Sequence, residues 1–291
     1  MKKVLSYLKL IQKIKENLKL FPNYELKKYA TLNEINHPYK AYKIQPKKLN
    51  PKMPLLIITT GFHGEEPQGP LTISKNIYQI IQDAKQHKIQ LIIYPCINPS
   101  GWEHNKRYNL SNENPNNSFF AYKLKDNTIS SELPIKTKFK SIQYFKNLPK
   151  ESKSLLKDIL KYKPTAILDI HQDDEMPKNG NSYIFLLGPK EQIIHIQKKI
   201  NKITAIAKKS KIPMQEPLQN IPKNLKGKIA KSYITDENAI LQIHDTSITD
   251  LAFRKGAKFA ITLETSQNLP PKIIDKINFT YIKELINLIS R

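Results

Sequence analysis

Cysteine, arginine, glycine and long apolar runs are all scarce in this chain, and each scarcity excludes something. One cysteine, Cys96, rules out an intramolecular disulfide framework and any multi-cysteine zinc site. Its setting, at the end of the apolar run LIIYPCIN, favours a buried structural thiol. Only Arg107, Arg254 and Arg291 are arginine, so almost all of the 48 basic residues are lysine. Nucleic-acid readers favour arginine for bidentate contacts to phosphate and guanine, and no zinc-finger spacing, RNP-like aromatic motif or basic-region heptad occurs. No specific nucleic-acid partner is expected. No apolar run reaches the length of a membrane span. The N-terminal stretch MKKVLSYLKLIQKIKENLKLF is interrupted by Lys9, Lys13, Lys15 and Lys19, which argues against a signal peptide and points to the cytoplasm.

What is abundant is positive charge: 48 Lys and Arg against 25 Asp and Glu leave +23 over 291 residues. This admits a polyanionic partner, such as an anionic membrane or an acidic cell-wall polymer. It equally admits compositional drift, since the lysines are spread along the whole chain and accompany abundant Ile and Asn.

Leu5, Leu8, Ile11, Ile14 and Leu18 recur at helical spacing, which predicts an amphipathic helix within a lead-in over residues 1–30. Residues 31–291 then read as one α/β domain. Tyr39–Ile44 suggests an edge strand, and the apolar runs Pro54–Thr60, Gln90–Tyr94, Ala166–Ile170, Ser182–Leu187 and Lys258–Leu263 suggest buried strands. Helices are expected over Pro70–Lys85, Ser152–Tyr162, Glu191–Lys209 and Lys272–Ile289, with a loop-rich stretch from Lys211 to about Ser232. Periodicity is lost over an irregular insertion at about 98–151. Short apolar strands separated by helices predict a three-layer α/β/α sandwich around a mostly parallel mixed sheet. In such sheets chemistry gathers beyond the carboxyl ends of the strands.

Those ends carry the informative polar residues. Pro54–Thr60 leads into Gly61-Phe62-His63-Gly64-Glu65-Glu66, where His63 and Glu66 are spaced to share one side of a turn. Zinc accepts both ligand types, although a loop histidine beside a solvated glutamate would look the same. Ala166–Ile170 is followed by His171. Asp169 lies on the same strand face, placed to accept the imidazole N–H that a metal would not use. Lys258–Leu263 is followed by Glu264, and a carboxylate in that position is costly unless solvated, paired or used. Asn98-Pro99-Ser100-Gly101 reads as a turn leading to Arg107, which either caps a surface or polarises a substrate carbonyl.

In this order, His63-x-x-Glu66, Asn98-Pro99-x-Gly101 with Arg107, His171 after a strand, and Thr262-x-Glu264 resemble the zinc carboxypeptidase superfamily. That group includes carboxypeptidase A-like enzymes, murein-peptide amidases and the succinylglutamate desuccinylase and aspartoacylase branch. The resemblance covers roughly residues 38–266, and Thr249-Asp250-Leu251-Ala252-Phe253 with Gly256 also resembles the family's approach to its catalytic glutamate. It implies one Zn²⁺ held by His63, Glu66 and His171. It further implies Glu264 as general base and acid, and Arg107 as stabiliser of the oxyanion.

Two departures bear on the substrate. The family's Asp-Leu-Asn-Arg-like segment, which grips a terminal carboxylate, is matched here by Asn114-Pro115-Asn116-Asn117; Asn116 keeps the asparagine and Asn117 stands in the arginine's place. The family's tyrosine ahead of the glutamate is replaced by a segment with Gln242 and His244. Asn116, Arg254 and His244 are therefore the candidate substrate contacts. The expected substrate is a small peptide, cleaved by a carboxypeptidase or peptide amidase. The alternatives are an N-acyl amino acid, cleaved by a deacylase, and a catalytically silent basic binding protein.

Overall fold

The computed structural model describes residues 5–34, 37–116, 119–173, 182–204, 211–213 and 232–290. The chain begins with α1 (Tyr7–Leu18), β1 (Tyr24–Glu34), β2 (His37–Pro46), β3 (Leu55–Thr60), α2 (Gln68–Gln86), β4 (Gln90–Tyr94) and α3 (Pro99–His104). There follow β5 (Phe120–Lys123), β6 (Ile129–Ser130), β7 (Leu133–Pro134), β8 (Ser141–Tyr144), α4 (Lys150–Ile159), β9 (Ala166–Asp173), β10 (Ser182–Leu187) and α5 (Lys190–Thr204). The rest comprises β11 (Lys211–Pro213), β12 (Ser232–Ile234), β13 (Ile240–Leu241), β14 (Ile243–His244), α6 (Ile248–Arg254), β15 (Phe259–Ser266) and α7 (Pro271–Ile289).

Eight strands form one mixed sheet in the order β1-β2-β4-β3-β9-β15-β10-β13. Its centre, β4-β3-β9-β15, is parallel, and β2 and β10 run antiparallel to it. The parallel strands are almost wholly buried because both faces are covered, and their apolar residues fill the core on either side. Leu56, Ile58, Leu168 and Ile261 pack with α1, α2, α5 and α7. Leu55, Ile57, Ile167 and Ala260 face the other way, toward α4, α6 and the small β6-β5-β8 sheet. This is the expected three-layer α/β/α sandwich. Among the described residues no helix is long and apolar enough to cross a membrane.

The structure alters several expectations. Residues 39–44 lie in β2, which is not an edge strand, because β1 pairs along its length from Tyr24↔Pro46 to Glu34↔His37. The lead-in therefore continues past residue 30 into the sheet. The strands expected to end at Ile170 and Leu263 run on to Asp173 and Ser266, because they pair with each other as far as Ser266↔Asp173. His171 and Glu264 are thus inside strands. The stretch 98–151, expected to be irregular, contains α3, β7 and the three strands of the small sheet. The stretch from Lys211 to Ser232 is bounded by paired strands, β11 against β12. Residues 214–231, 205–209 and Asn117 lie outside the described residues. Cys96 is buried as expected, and burial pushes its thiol far above the usual range.

Candidate metal centre

After β3 the chain turns at Gly61, whose φ of +69° favours glycine. It then runs against the start of α3 so closely that a Cβ on Gly64 would stand 1.9 Å from the Gly101 carbonyl carbon. The turn sequence Asn98-Pro99-Ser100-Gly101 is what makes this approach possible. Asn98 is fully buried; its Oδ1 caps α3 by accepting from Gly101 N at 2.8 Å, while Nδ2 donates to Phe62 O at 3.1 Å. Gly64 N donates to Lys106 O at 2.9 Å. The segment carrying His63 and Glu66 is thus fixed by backbone contacts on both sides.

Glu66 lies between two imidazoles. Its Oε1 is 2.5 Å from His63 Nδ1 and its Oε2 is 3.0 Å from His171 Nδ1; Gln172 N also donates to Oε2 at 3.0 Å. The three side chains are almost sealed from solvent, with His63 3% exposed, Glu66 4% and His171 2%. One potential ligand atom from each lies within 4.8 Å of the others. The far nitrogens have their own acceptors: His63 Nε2 is 3.1 Å from Asn114 Oδ1, and His171 Nε2 is 3.0 Å from Asp169 Oδ2. Asp169 is in turn held by Thr59, whose Oγ1 donates to Oδ1 at 2.8 Å.

The outer partners suit metal binding. An amide oxygen and a carboxylate oxygen can only accept, so a metal at the centre would leave both imidazoles with N–H at Nε2 and Nδ1 turned to the ion. Two Nδ1 atoms and a carboxylate converge on one buried place. The donor set therefore fits a divalent metal of the zinc type, and the outer acceptors fit the way metal-bound imidazoles are oriented. The electrostatics agree. Burial raises the Glu66 carboxyl, but the His63 and His171 imidazoles outweigh it and hold the group far below the carboxylate range. Burial lowers His171, but Asp169 and Glu66 outweigh it and hold the ring well above its ordinary value.

Glu264 stands beside this centre. It is the register partner of His171 on one side and of Tyr183 on the other, so the three side chains share one face across β9, β15 and β10. Burial pushes its carboxyl well above the ordinary value; His171 pulls it back, and Glu66, Asp173 and Asp169 push it further up. Arg107 Nη1 reaches Glu66 Oε1 at 3.4 Å and Glu65 Oε1 at 3.3 Å.

The other candidates are placed differently. Asn116 donates its backbone N–H to Asn114 Oδ1 at 3.0 Å, so Asn114 is the asparagine of this segment that meets the centre. His244 and the part-buried Arg254 form a separate group with the buried Asp250 and Tyr122. His244 Nδ1 is 2.9 Å from Asp250 Oδ1, and Arg254 Nη2 is 2.7 Å from His244 Nε2. Sequence reasoning missed Asn114, Thr59 and Tyr183. Thr59 and Tyr183 are register neighbours of Asp169 and Glu264, and register is not written in either strand alone. Asn114 lies two residues before Asn116 in a segment with no periodicity to mark which asparagine turns toward the centre.

Comparison with known proteins agrees with this architecture. Residues 34–280 match the family described as zinc carboxypeptidase. A protein described as a candidate metallopeptidase from Shewanella amazonensis is 19% identical with a TM-score of 0.68, over 97% of this chain and 92% of that one. Carboxypeptidase A from Helicoverpa armigera is 14% identical with a TM-score of 0.63, over 99% and 74%. A metallo-carboxypeptidase from Pseudomonas aeruginosa, in complex with (2-guanidinoethylmercapto)succinic acid, is 12% identical with a TM-score of 0.58, over 99% and 70%. No curated protein matches the sequence significantly. At these identities the structures speak for the fold, and the family match speaks for the class, which is that of a zinc metallopeptidase. The chain belongs to the zinc carboxypeptidase family.

Proposed function

We propose that this protein hydrolyses an amide bond of a small peptide, as a carboxypeptidase or peptide amidase, with one zinc ion held by His63, Glu66 and His171. The observation that carries the reading is the convergence of two imidazole Nδ1 atoms and a buried carboxylate on one place, with Glu264 in register beside it. Zinc bound there would supply Lewis acidity, polarising the scissile carbonyl and acidifying water.

The chain's own residues supply the rest. Asp169 and Asn114 face the two Nε2 atoms with acceptors and would hold the metal-bound imidazoles in the Nε2–H tautomer. Glu264 takes a proton from the attacking water and returns it to the leaving amine. Its raised proton affinity suits that exchange, because a base too weak to keep the proton could not deliver it. Arg107, charged at any working pH, already stands at the Glu66 carboxylate and would meet the negative oxygen that forms as the carbonyl is attacked.

Asn117 in the place of the family's arginine favours substrates whose terminus is not gripped as a bidentate carboxylate. Arg254 and His244 are partnered with each other and with Asp250, so their use as substrate contacts would require opening that group. A panel of free-acid peptides, the same peptides amidated, and N-acyl amino acids tests the reading. Turnover of either peptide set supports it. Turnover of N-acyl amino acids alone would replace it with the deacylase reading.

A further inference from the structure

On the β1-β2 side of the molecule a cavity of about 300 Å³ opens between β1, β2 and the end of α4. Five of its eleven lining residues are lysines, namely Lys27, Lys28, Lys43, Lys47 and Lys161, whereas Lys and Arg together make up 48 of the 291 residues of the chain. The lining holds one carboxylate, Asp158, and it is already engaged. Its Oδ2 takes Lys43 Nζ at 2.5 Å and Tyr94 OH at 2.8 Å, and its Oδ1 takes Lys161 Nζ at 2.8 Å. None of the lining residues belongs to the metal centre.

Two features distinguish this cavity from a chance run of surface lysines. Lys43 is a buried ammonium, 3% exposed, donating also to Tyr162 OH at 2.5 Å and lying 4.9 Å from the Tyr162 ring centroid. Burial lowers its pKa against the pull of Asp158, so the fold keeps a costly cation in the wall of a cavity. The second feature is in the strand above it. The β1-β2 ladder slips between Lys28 and Ala30, leaving Tyr29 as an extra residue. Such a bulge bends the strand and re-aims its side chains, and here Lys27, Lys28 and Tyr29 all line the cavity.

We propose that this cavity is a binding site for a small, multiply charged anion of the phosphate or phosphate-ester class. Lysine ammoniums bind such anions as point charges without needing a planar fork. Lys27 also meets Glu25 Oε1 at 3.7 Å, so five lysines face two carboxylates, and an added anion would offset the positive charge that remains. The site is independent of the peptidase reading and does not rest on it.

The test is calorimetric titration of the zinc-loaded full chain with inorganic pyrophosphate at fixed ionic strength. Saturable one-to-one binding is expected, weakened about tenfold by the double substitution Lys28→Met with Lys47→Met, since rim ion pairs contribute up to about 1 kcal/mol each. Lys43→Met should weaken it further; because that change strips a partner from Asp158, the rim pair decides if the Lys43 variant does not fold. Lys198→Met with Lys202→Met on α5 should leave the affinity unchanged. An absence of saturable binding, equal binding by the rim variant and the wild type, or an equal loss in the α5 variant would each overturn the proposal.

Discussion

At His244 both ring nitrogens have complementary partners. Arg254 Nη2 donates to Nε2 at 2.7 Å, which leaves Nδ1 to carry the proton given to Asp250 Oδ1 at 2.9 Å. Asp250 Oδ2 takes Tyr122 OH at 2.6 Å and Thr246 N at 2.9 Å, and the Arg254 guanidinium lies 4.7 Å from the Phe139 ring centroid. At His63 and His171 Nδ1 also faces a carboxylate, but each Nε2 faces an outside oxygen rather than a cation, and both Nδ1 atoms meet at the one carboxylate of Glu66. Burial and a histidine-carboxylate pair are common to both groups; what separates them is that Glu66 stands between two converging imidazoles, whereas Asp250 meets a single imidazole whose other nitrogen takes a guanidinium.

The widest separation between the two should be seen in turnover. Glu264→Gln is expected to lower kcat by about 10³–10⁴-fold with zinc content unchanged, measured by peptide cleavage and metal analysis of the same preparation. Loss of zinc in that variant would make Glu264 a ligand. Asp250→Ala should instead act on folding, lowering stability by about 3–5 kcal/mol in denaturant titration, because it removes the buried carboxylate that His244, Tyr122 OH and Thr246 N all meet. Zinc affinity per folded molecule should be unaltered; a parallel fall in affinity would join the two groups into one.

The two imidazoles of the centre can be compared with each other. His171 is backed by a carboxylate and His63 by an amide, so Asp169→Ala and Asn114→Ala should each weaken zinc binding by about 10–100-fold, with the larger loss at Asp169. Competition against a chelator measures both. Equal affinity in either variant would mean that its partner does not orient the ring.

The smallest effect expected is on the pH dependence of stability. Glu151 is pushed up to about 8, first by burial and then by its hydrogen bond with Glu34, while Asn109 Nδ2 donates to its Oε2 at 3.0 Å and pulls it down. A carboxyl raised in the folded state binds an extra proton on folding. Its contribution is therefore complete below the unfolded value and is lost as pH rises through about 8. Glu151→Gln should flatten that decline by on the order of 1–2 kcal/mol, because the proton is shared with Glu34. Denaturant midpoints between pH 5 and 9 read it, and an unchanged slope would assign the decline to other groups.

The centre was legible in the sequence where single strands carry the information. Pro54–Thr60, Ala166–Ile170 and Lys258–Leu263 are apolar on both faces, so His63, His171 and Glu264 stood out as polar residues at or just beyond the ends of those runs. What was not legible depends on relations between segments. Nothing in Ser182–Leu187 says that Tyr183 pairs with Glu264 rather than with a neighbour one residue away. Tyr24–Glu34 hides its strand because, at the sheet's edge, most of its middle, including Lys27 and Lys28, is exposed or only partly buried and carries no apolar run. Asn114 reaches His63 along a loop path that no periodicity marks. Asp250, six residues from His244 and four from Arg254, meets both side chains only once α6 is formed, so that partnership is not visible in the sequence.

The account depends most on the place where the two Nδ1 atoms and Glu66 converge. Anomalous difference maps from zinc-loaded crystals, collected on either side of the zinc edge, test it directly. The expected result is one peak per chain, about 2.0–2.2 Å from His63 Nδ1, His171 Nδ1 and a Glu66 oxygen. A peak at any other cluster, or none at this one in a folded, zinc-loaded crystal, would contradict it.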